Sequence, residues 1–117
     1  MEFIKIIGQK IETQLSIVSF KDDHNIFNVL VPALDVTTYA DSIADAKTAA
    51  SEAIPLHLKD WMEKNVLHEV LLQQGWLSNE PKKIRYAGPR RYQVPANLYG
   101  NRAINPTSTQ ANLSVLI

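Results

Sequence analysis

The sequence predicts an α+β fold: a three- to four-stranded antiparallel sheet with helices packed on one face, followed by an irregular C-terminal extension. Three observations carry this expectation. Residues 11–20 alternate apolar and polar side chains, a second β-rich run at 26–31 follows a cluster of turn formers, and an alanine-striped helical pattern opens at Ser42. Strands that come before helices, rather than alternating with them, belong to an antiparallel sheet covered by helices.

The first strand is read from Ile11-Glu12-Thr13-Gln14-Leu15-Ser16-Ile17. Ile11, Thr13, Leu15 and Ile17 share one face and Glu12, Gln14 and Ser16 the other, the period of a half-buried strand. Phe3-Ile4-Lys5-Ile6-Ile7 is either a separate strand or the first half of this one, with Gly8 as a bulge or bend. Lys21-Asp22-Asp23-His24-Asn25 is rich in turn formers, and residues 26–31 close a hairpin across it with a loop of about four or five residues. Pro32 ends that strand because it has no N–H to give to the ladder. Ala33-Leu34-Asp35 turns the chain, and Val36-Thr37-Thr38-Tyr39, β-branched and aromatic, is a short third strand.

Ser42-Ile43-Ala44-Asp45 has the spacing of a capping box, and Asp41 and Asp45 lie where the positive helix end favours carboxylates. Ile43, Ala46, Ala50, Ala53 and His57 fall near one helix face, mostly alanine, which lets the helix lie close against a sheet. Pro55 removes a hydrogen bond and clashes with the preceding turn, at a cost of ~3 kcal/mol in a helix interior. Two helices are therefore expected, 42–54 and 56–74, with Gly75 as the stop and Trp76-Leu77 as the apolar contact after it. From residue 78 the periodicity fails. Residues 84–86 and 92–94 are candidate short strands, and the apolar, partly alternating end at 113–117 marks an extension that lies on its own domain or on a second copy. The expected division is a domain at 1–77 and a basic, proline-containing extension at 78–117, with a homo-oligomer as the expected assembly.

The chain has 117 residues, 45% hydrophobic and 21% charged, with a net charge of zero. That balance hides an asymmetry: residues 1–79 carry six Lys/Arg and eleven Asp/Glu, a net of −5, whereas residues 80–117 carry six Lys/Arg and Glu80 alone, a net of +5. An acidic body joined to a basic extension points to a partner, or the protein's own body, as what the extension meets. No stretch approaches the ~18 consecutive apolar residues of a membrane span. The N-terminal residues lack an uninterrupted signal-peptide core, so a cytoplasmic location is expected. The absence of cysteine excludes a disulfide framework, cysteine-ligated metals and thiol catalysis.

Phe27-Asn28-Val29-Leu30-Val31-Pro32-Ala33-Leu34-Asp35, then Tyr39-Ala40-Asp41-Ser42-Ile43-Ala44-Asp45-Ala46 and an alanine-rich helix, resemble the HicB antitoxin family over roughly residues 11–60. Pro32 corresponds to that family's strand-end proline, Leu34 to its turn leucine, Asp41-Ser42 to its Asp-Thr cap and Asp45-Ala46 to its Glu-Ala pair. Asp35-Val36 replaces the family's Pro-Gly turn, and Ala40 the glycine before the cap. The resemblance implies a partial RNase-H-like fold without nuclease activity and a partner that is a small HicA-type RNase toxin, which the protein covers and neutralises. Many members also repress their own promoter through a C-terminal ribbon-helix-helix or helix-turn-helix. No such motif follows residue 75, where the prolines leave no room for a helix pair, so DNA binding does not carry over.

Candidate chemistry is sparse. Asp35, Asp41, Asp45 and Glu52 are the carboxylates a nuclease would bring together on metal ions, but capping accounts for Asp41 and Asp45, and no metal or other cofactor is expected. His24, His57 and His68 lack metal-ligand spacing, and there is no nucleophile elbow, phosphate loop or dinucleotide fingerprint. The protein is therefore read as a non-enzyme. Asp35, Tyr39 and Trp76 are the candidate partner-binding residues. The alternative function is a nucleic-acid-binding transcriptional regulator, with Lys82, Lys83, Arg85, Arg90 and Arg91 as phosphate contacts and the tyrosines between them as stacking platforms.

Overall fold

The long alternating run of the sequence becomes the central strand of a sheet. The structure, a computed structural model, describes residues 2–79, 81–89 and 104–116. Its elements are β1 (Phe3–Ile7), β2 (Lys10–Lys21), β3 (Phe27–Val31), a 3₁₀ turn (Pro32–Leu34), β4 (Val36–Ala40), α1 (Ile43–Glu63), α2 (Leu67–Gln73), β5 (Leu77–Ser78), β6 (Arg85–Ala87) and β7 (Ile104–Leu116). Gly8, with φ +59°, supplies the left-handed residue of the β1–β2 turn.

Every strand pair is antiparallel. β7 runs along β2 from Lys10↔Leu116 to Lys21↔Ile104, with a register slip between Ser19 and Lys21. β1 pairs with residues 10–14 of β2, and β3 with residues 18–21. A strand has two edges, so β1 and β3 share the edge opposite β7. In the gap between them the Glu2 carboxylate accepts a hydrogen bond from the Ser16 N–H at 3.1 Å. β4 lies outside β3, and β6 and then β5 lie outside β1.

Among the described residues the sheet has seven strands, where three to four were expected. The additional strands come from the segment expected to be largely irregular: Ser78 of β5 and all of β6 and β7 fall within 78–117, β6 lies where 84–86 was a candidate strand, and the candidate 92–94 lies outside the described residues. The α+β class and the antiparallel sheet match the expectation from sequence.

The buried side of β2 is its odd-numbered face. Ile11, Leu15 and Ile17 pack in one cluster with Ala46, Ala50, Ile54 and Leu58 of α1 and with Leu67 and Leu71 of α2. The buried stripe of α1 is thus an i, i+4 series, and the expected face was rotated: Ile43 is 55% exposed and His57 is exposed as well. The expected break at Pro55 does not occur. α1 continues through it to Glu63, because Ile54, just before the proline, and Leu58, three residues after it, are wholly buried. Burying two such side chains contributes ~3–6 kcal/mol, enough to offset the ~3 kcal/mol of an interior proline.

The chain breaks instead at Asn65, with φ +55°. The Asn65 N–H donates to Met62 O and the Val66 N–H to Trp61 O, at 3.1 and 2.9 Å, the paired bonds of a Schellman motif. The same motif recurs at the expected stop: Gly75, φ +92°, donates to Leu72 O, and Trp76 donates to Leu71 O. On β2 the alternation holds to Ser19. Phe20 and, across on β3, Leu30 are 2% and 4% exposed but lie outside the helix-side cluster.

Candidate interaction surface

The hairpin loop after β2 is organised by one carboxylate. Asp22 Oδ1 accepts from the N–H groups of His24 at 2.8 Å and Ile26 at 3.1 Å, and Oδ2 accepts from Asn28 Nδ2 at 3.1 Å. Asn25, φ +63°, takes the left-handed position that asparagine tolerates. The Ile26 N–H is the main cause that holds the Asp22 carboxyl below its ordinary range. Desolvation, the next largest cause, opposes it, and the Asn28 amide, the His24 N–H and the His24 charge add smaller amounts to the lowering.

This loop frames a ledge at the end of β4. Tyr39, paired with Asn28 across the β3–β4 ladder, is 64% exposed, and Ile26 is 41% exposed. Together with Asp22, Ala40 and Asp41 they line a shallow cavity of about 460 Å³. Asp41 is exposed and precedes the N-cap Ser42, whose Oγ accepts from Asp45 N–H at 3.1 Å. Two apolar side chains and two carboxylates therefore face solvent together. Tyr39 was legible as a site residue. Ile26 and Asp22 were not, because a strand-initial isoleucine and a turn aspartate carry no functional signal until the hairpin brings them beside Tyr39.

Asp35 is exposed but lies outside this cavity. It ends the 3₁₀ turn in the left-handed conformation, φ +55°, with its N–H on Pro32 O at 3.2 Å. Four positions along β4 separate it from Tyr39, roughly 13 Å. Trp76 corrects the expectation from sequence: it is 1% exposed, and its Nε1–H donates to Ala33 O at 2.6 Å, so it belongs to the core and not to a contact surface.

Lys82 and Lys83 are exposed on the turn between β5 and β6, and Arg85, exposed as well, opens β6. Asn79 builds that turn: its Oδ1 accepts from Ile84 N–H at 3.1 Å and Arg85 N–H at 2.8 Å, and its carbonyl accepts from Lys82 N–H. Arg90 and Arg91 lie outside the described residues. Among the described residues no three His, Asp or Glu side chains are grouped so as to hold a metal ion, and Asp35, Asp41, Asp45 and Glu52 are not brought together. Nor are the histidines: His24 sits in the hairpin loop, His57 tilts against Trp61 with ring centroids 5.6 Å apart, and His68 Nδ1 lies 3.0 Å from Tyr86 Oη.

In comparisons with known proteins, no family model, no curated protein and no solved structure matches the chain.

Proposed function

We propose that the chain is a non-catalytic, HicB-like antitoxin, or a relative acting alone, that covers the active surface of a small HicA-type RNase toxin in the cytoplasm. The observation that carries this reading is the ledge of Tyr39 and Ile26 between the carboxylates of Asp22 and Asp41. An RNase carries positive charge to hold phosphates, and an apolar patch rimmed by carboxylates is complementary to such a surface. The residues on which the family resemblance rests also take roles suited to it. Pro32 opens the turn after β3, Leu34 is buried beneath it, and Ser42 caps α1. A partial RNase-H-like arrangement is the finer form of the observed α+β fold that this proposal adopts.

The test is co-expression of the full chain with a small basic protein encoded beside it. Co-purification in a fixed ratio and rescue of growth are expected. Tyr39→Ala combined with Ile26→Ala is expected to weaken capture at least about tenfold with no change in the thermal melt. Absence of a complex with the intact chain overturns the reading.

A second reading, nucleic-acid binding, is favoured by three exposed cations close in the chain, Lys82 and Lys83 on the turn and Arg85 at the start of β6. It predicts an affinity that falls steeply with salt and is lost in the triple alanine variant. Deleting residues 80–117 is not a usable test, since it removes β6 and β7 from the sheet.

A further inference from the structure

β1 and β6 set two cations from distant parts of the sequence against each other. Their register is Phe3↔Ala87, Ile4↔Tyr86 and Lys5↔Arg85. The Ile6 N–H donates to Ile84 O at 2.7 Å, and the Gly88 N–H to Glu2 O at 2.9 Å. The ladder bonds therefore fall on even-numbered residues. Lys5 and Arg85 are a non-hydrogen-bonded pair, the kind in which Cα atoms approach to about 4.5 Å and side chains stand closest. Ile4 and Tyr86 are buried on the core side, so Lys5 and Arg85 share the opposite face.

Like charges directly opposite across two strands repel, and the nearby carboxylates are engaged elsewhere. Glu12, the register partner of Lys5 on β2, lies 3.1 Å from Lys10 Nζ. The Glu2 carboxylate accepts from the Ser16 N–H. Among the described residues neither Lys5 nor Arg85 forms an ion pair. Lys5 is held instead by a ring: its Nζ lies 4.9 Å from the centroid of Phe3. Beside the two cations, on the same face, runs an apolar row in which Leu77 pairs with Ala87 and Ala87 with Phe3. Leu77 is 66% exposed. The cations and this row line one cavity of about 330 Å³.

We propose that this face of β1, β6 and β5 is a mononucleotide site. Lys5 and Arg85 hold the phosphate between them, and the base lies on the row of Leu77, Ala87 and Phe3. An anion placed between the two cations turns their repulsion into two attractions. A phosphate monoester suits the pair better than a carboxylate does. It carries about −1.5 to −2 charge at pH 7 and three acceptor oxygens, so the Arg85 fork can take two and the Lys5 ammonium the third. The cavity is at the lower end of the roughly 300–1,000 Å³ of small-ligand sites. β5 and β4 lie at opposite ends of the strand order, so the inference does not depend on the Tyr39 ledge or on the antitoxin reading. It shares Arg85 with the nucleic-acid reading but not Lys82 and Lys83, which do not line this cavity.

The experiment is an amide chemical-shift titration of the full chain at about 50 mM salt, where charge contacts are weakly screened. The probes are adenosine 5′-monophosphate, adenosine, ribose 5-phosphate and a single-stranded deoxyadenosine hexamer without a terminal phosphate. The monophosphate is expected to move the amides of Lys5, Leu77, Arg85 and Ala87 together. Adenosine and ribose 5-phosphate, each lacking one half of the ligand, should bind at least about tenfold more weakly. Lys5→Gln and Arg85→Gln should each weaken the monophosphate about tenfold, whereas Lys82→Gln combined with Lys83→Gln should leave it within about twofold. Since each single variant relieves a like-charge pair, it should melt no lower than the unmodified chain, which separates lost binding from lost folding. The hexamer is expected not to displace the monophosphate. Absence of shifts at about 10 mM monophosphate, a fragment that binds as tightly as the whole, or binding indifferent to Lys5→Gln and Arg85→Gln overturns the proposal. Displacement by the hexamer overturns it as well. Hexamer binding that needs only Lys82 and Lys83, with no response to the monophosphate, overturns it and leaves the nucleic-acid reading standing.

Discussion

The indole Nε1–H of Trp76 donates to the main-chain carbonyl of Ala33 at 2.6 Å, joining residues forty-three positions apart. The bond ties the residue just after α2 to the 3₁₀ turn after β3, and both residues are buried. Trp76→Phe keeps most of the apolar volume but leaves a buried carbonyl without its donor, which costs ~1–3 kcal/mol. Trp76→Ala adds the loss of the ring and should cost at least ~3–5 kcal/mol. Urea titration of both variants checks this. Equal loss in the two would mean that the ring, and not the hydrogen bond, carries the contact.

Asn65 sets the direction in which the chain leaves α1. Its φ of +55° is a conformation that most L-residues resist by ~1–2 kcal/mol. Asn65→Ala is therefore expected to lower stability by about that amount, whereas Asn65→Gly should leave it near the native value, since glycine enters this region freely. Thermal melts of the pair give the comparison, and an alanine variant as stable as the glycine one would contradict it.

On β2, Thr13 occupies a core-facing position between Ile11 and Leu15. It is 2% exposed, and its Oγ1 has no hydrogen-bond partner. A buried hydroxyl left unpaired costs ~1–3 kcal/mol. Thr13→Val is nearly the same shape and removes the hydroxyl, so it should raise the urea midpoint, with a gain of ~1 kcal/mol. A loss instead would place a polar partner on that hydroxyl.

What the sequence makes legible here follows burial on one face. β2, β3 and β4 were readable because their inward side chains are large and β-branched. The capping of α1 by Ser42 was readable because it is local. β7 was legible only at its apolar end, expected to lie on the domain or on a second copy and found paired with β2; its core-facing series begins Thr109-Ala111, too weakly apolar to mark a strand. β6 was legible as the candidate strand 84–86, whereas β5, two residues long, is too short to carry a period. The break between the helices was assigned to Pro55 because proline is a strong local signal, yet burial of Ile54 and Leu58 overrode it, and a single left-handed asparagine made the turn. Of the candidate site, Tyr39 and the Lys82, Lys83, Arg85 group are exposed as their residue types led one to expect. Trp76 went to the core because its one polar atom found a carbonyl distant in sequence, which no local pattern reveals.

Asp22 makes the ledge sensitive to acid. Its carboxylate accepts from Ile26, His24 and Asn28, and these bonds favour the ionised form, holding its pKa below the ordinary 3.8. A carboxyl whose folded pKa is depressed contributes order that is fully present above its unfolded value and is lost as pH falls through the folded one. The hairpin loop should therefore stay unchanged from neutral pH down to the ordinary carboxylate range and loosen below it. The chemical shifts of the His24 and Ile26 amides should titrate together with a midpoint under 3.8, and both amides should exchange faster below that midpoint. Asp22→Ala should bring the same loosening at neutral pH and abolish the titration. Since Ile26 and Tyr39 share the cavity that Asp22 borders, this variant should also weaken capture of a basic partner by more than the removal of one exposed charge, which is worth at most ~1 kcal/mol. A loss no larger than that, with the loop intact by amide exchange, would leave Asp22 as a rim charge and shift the weight of the ledge to Tyr39 and Asp41.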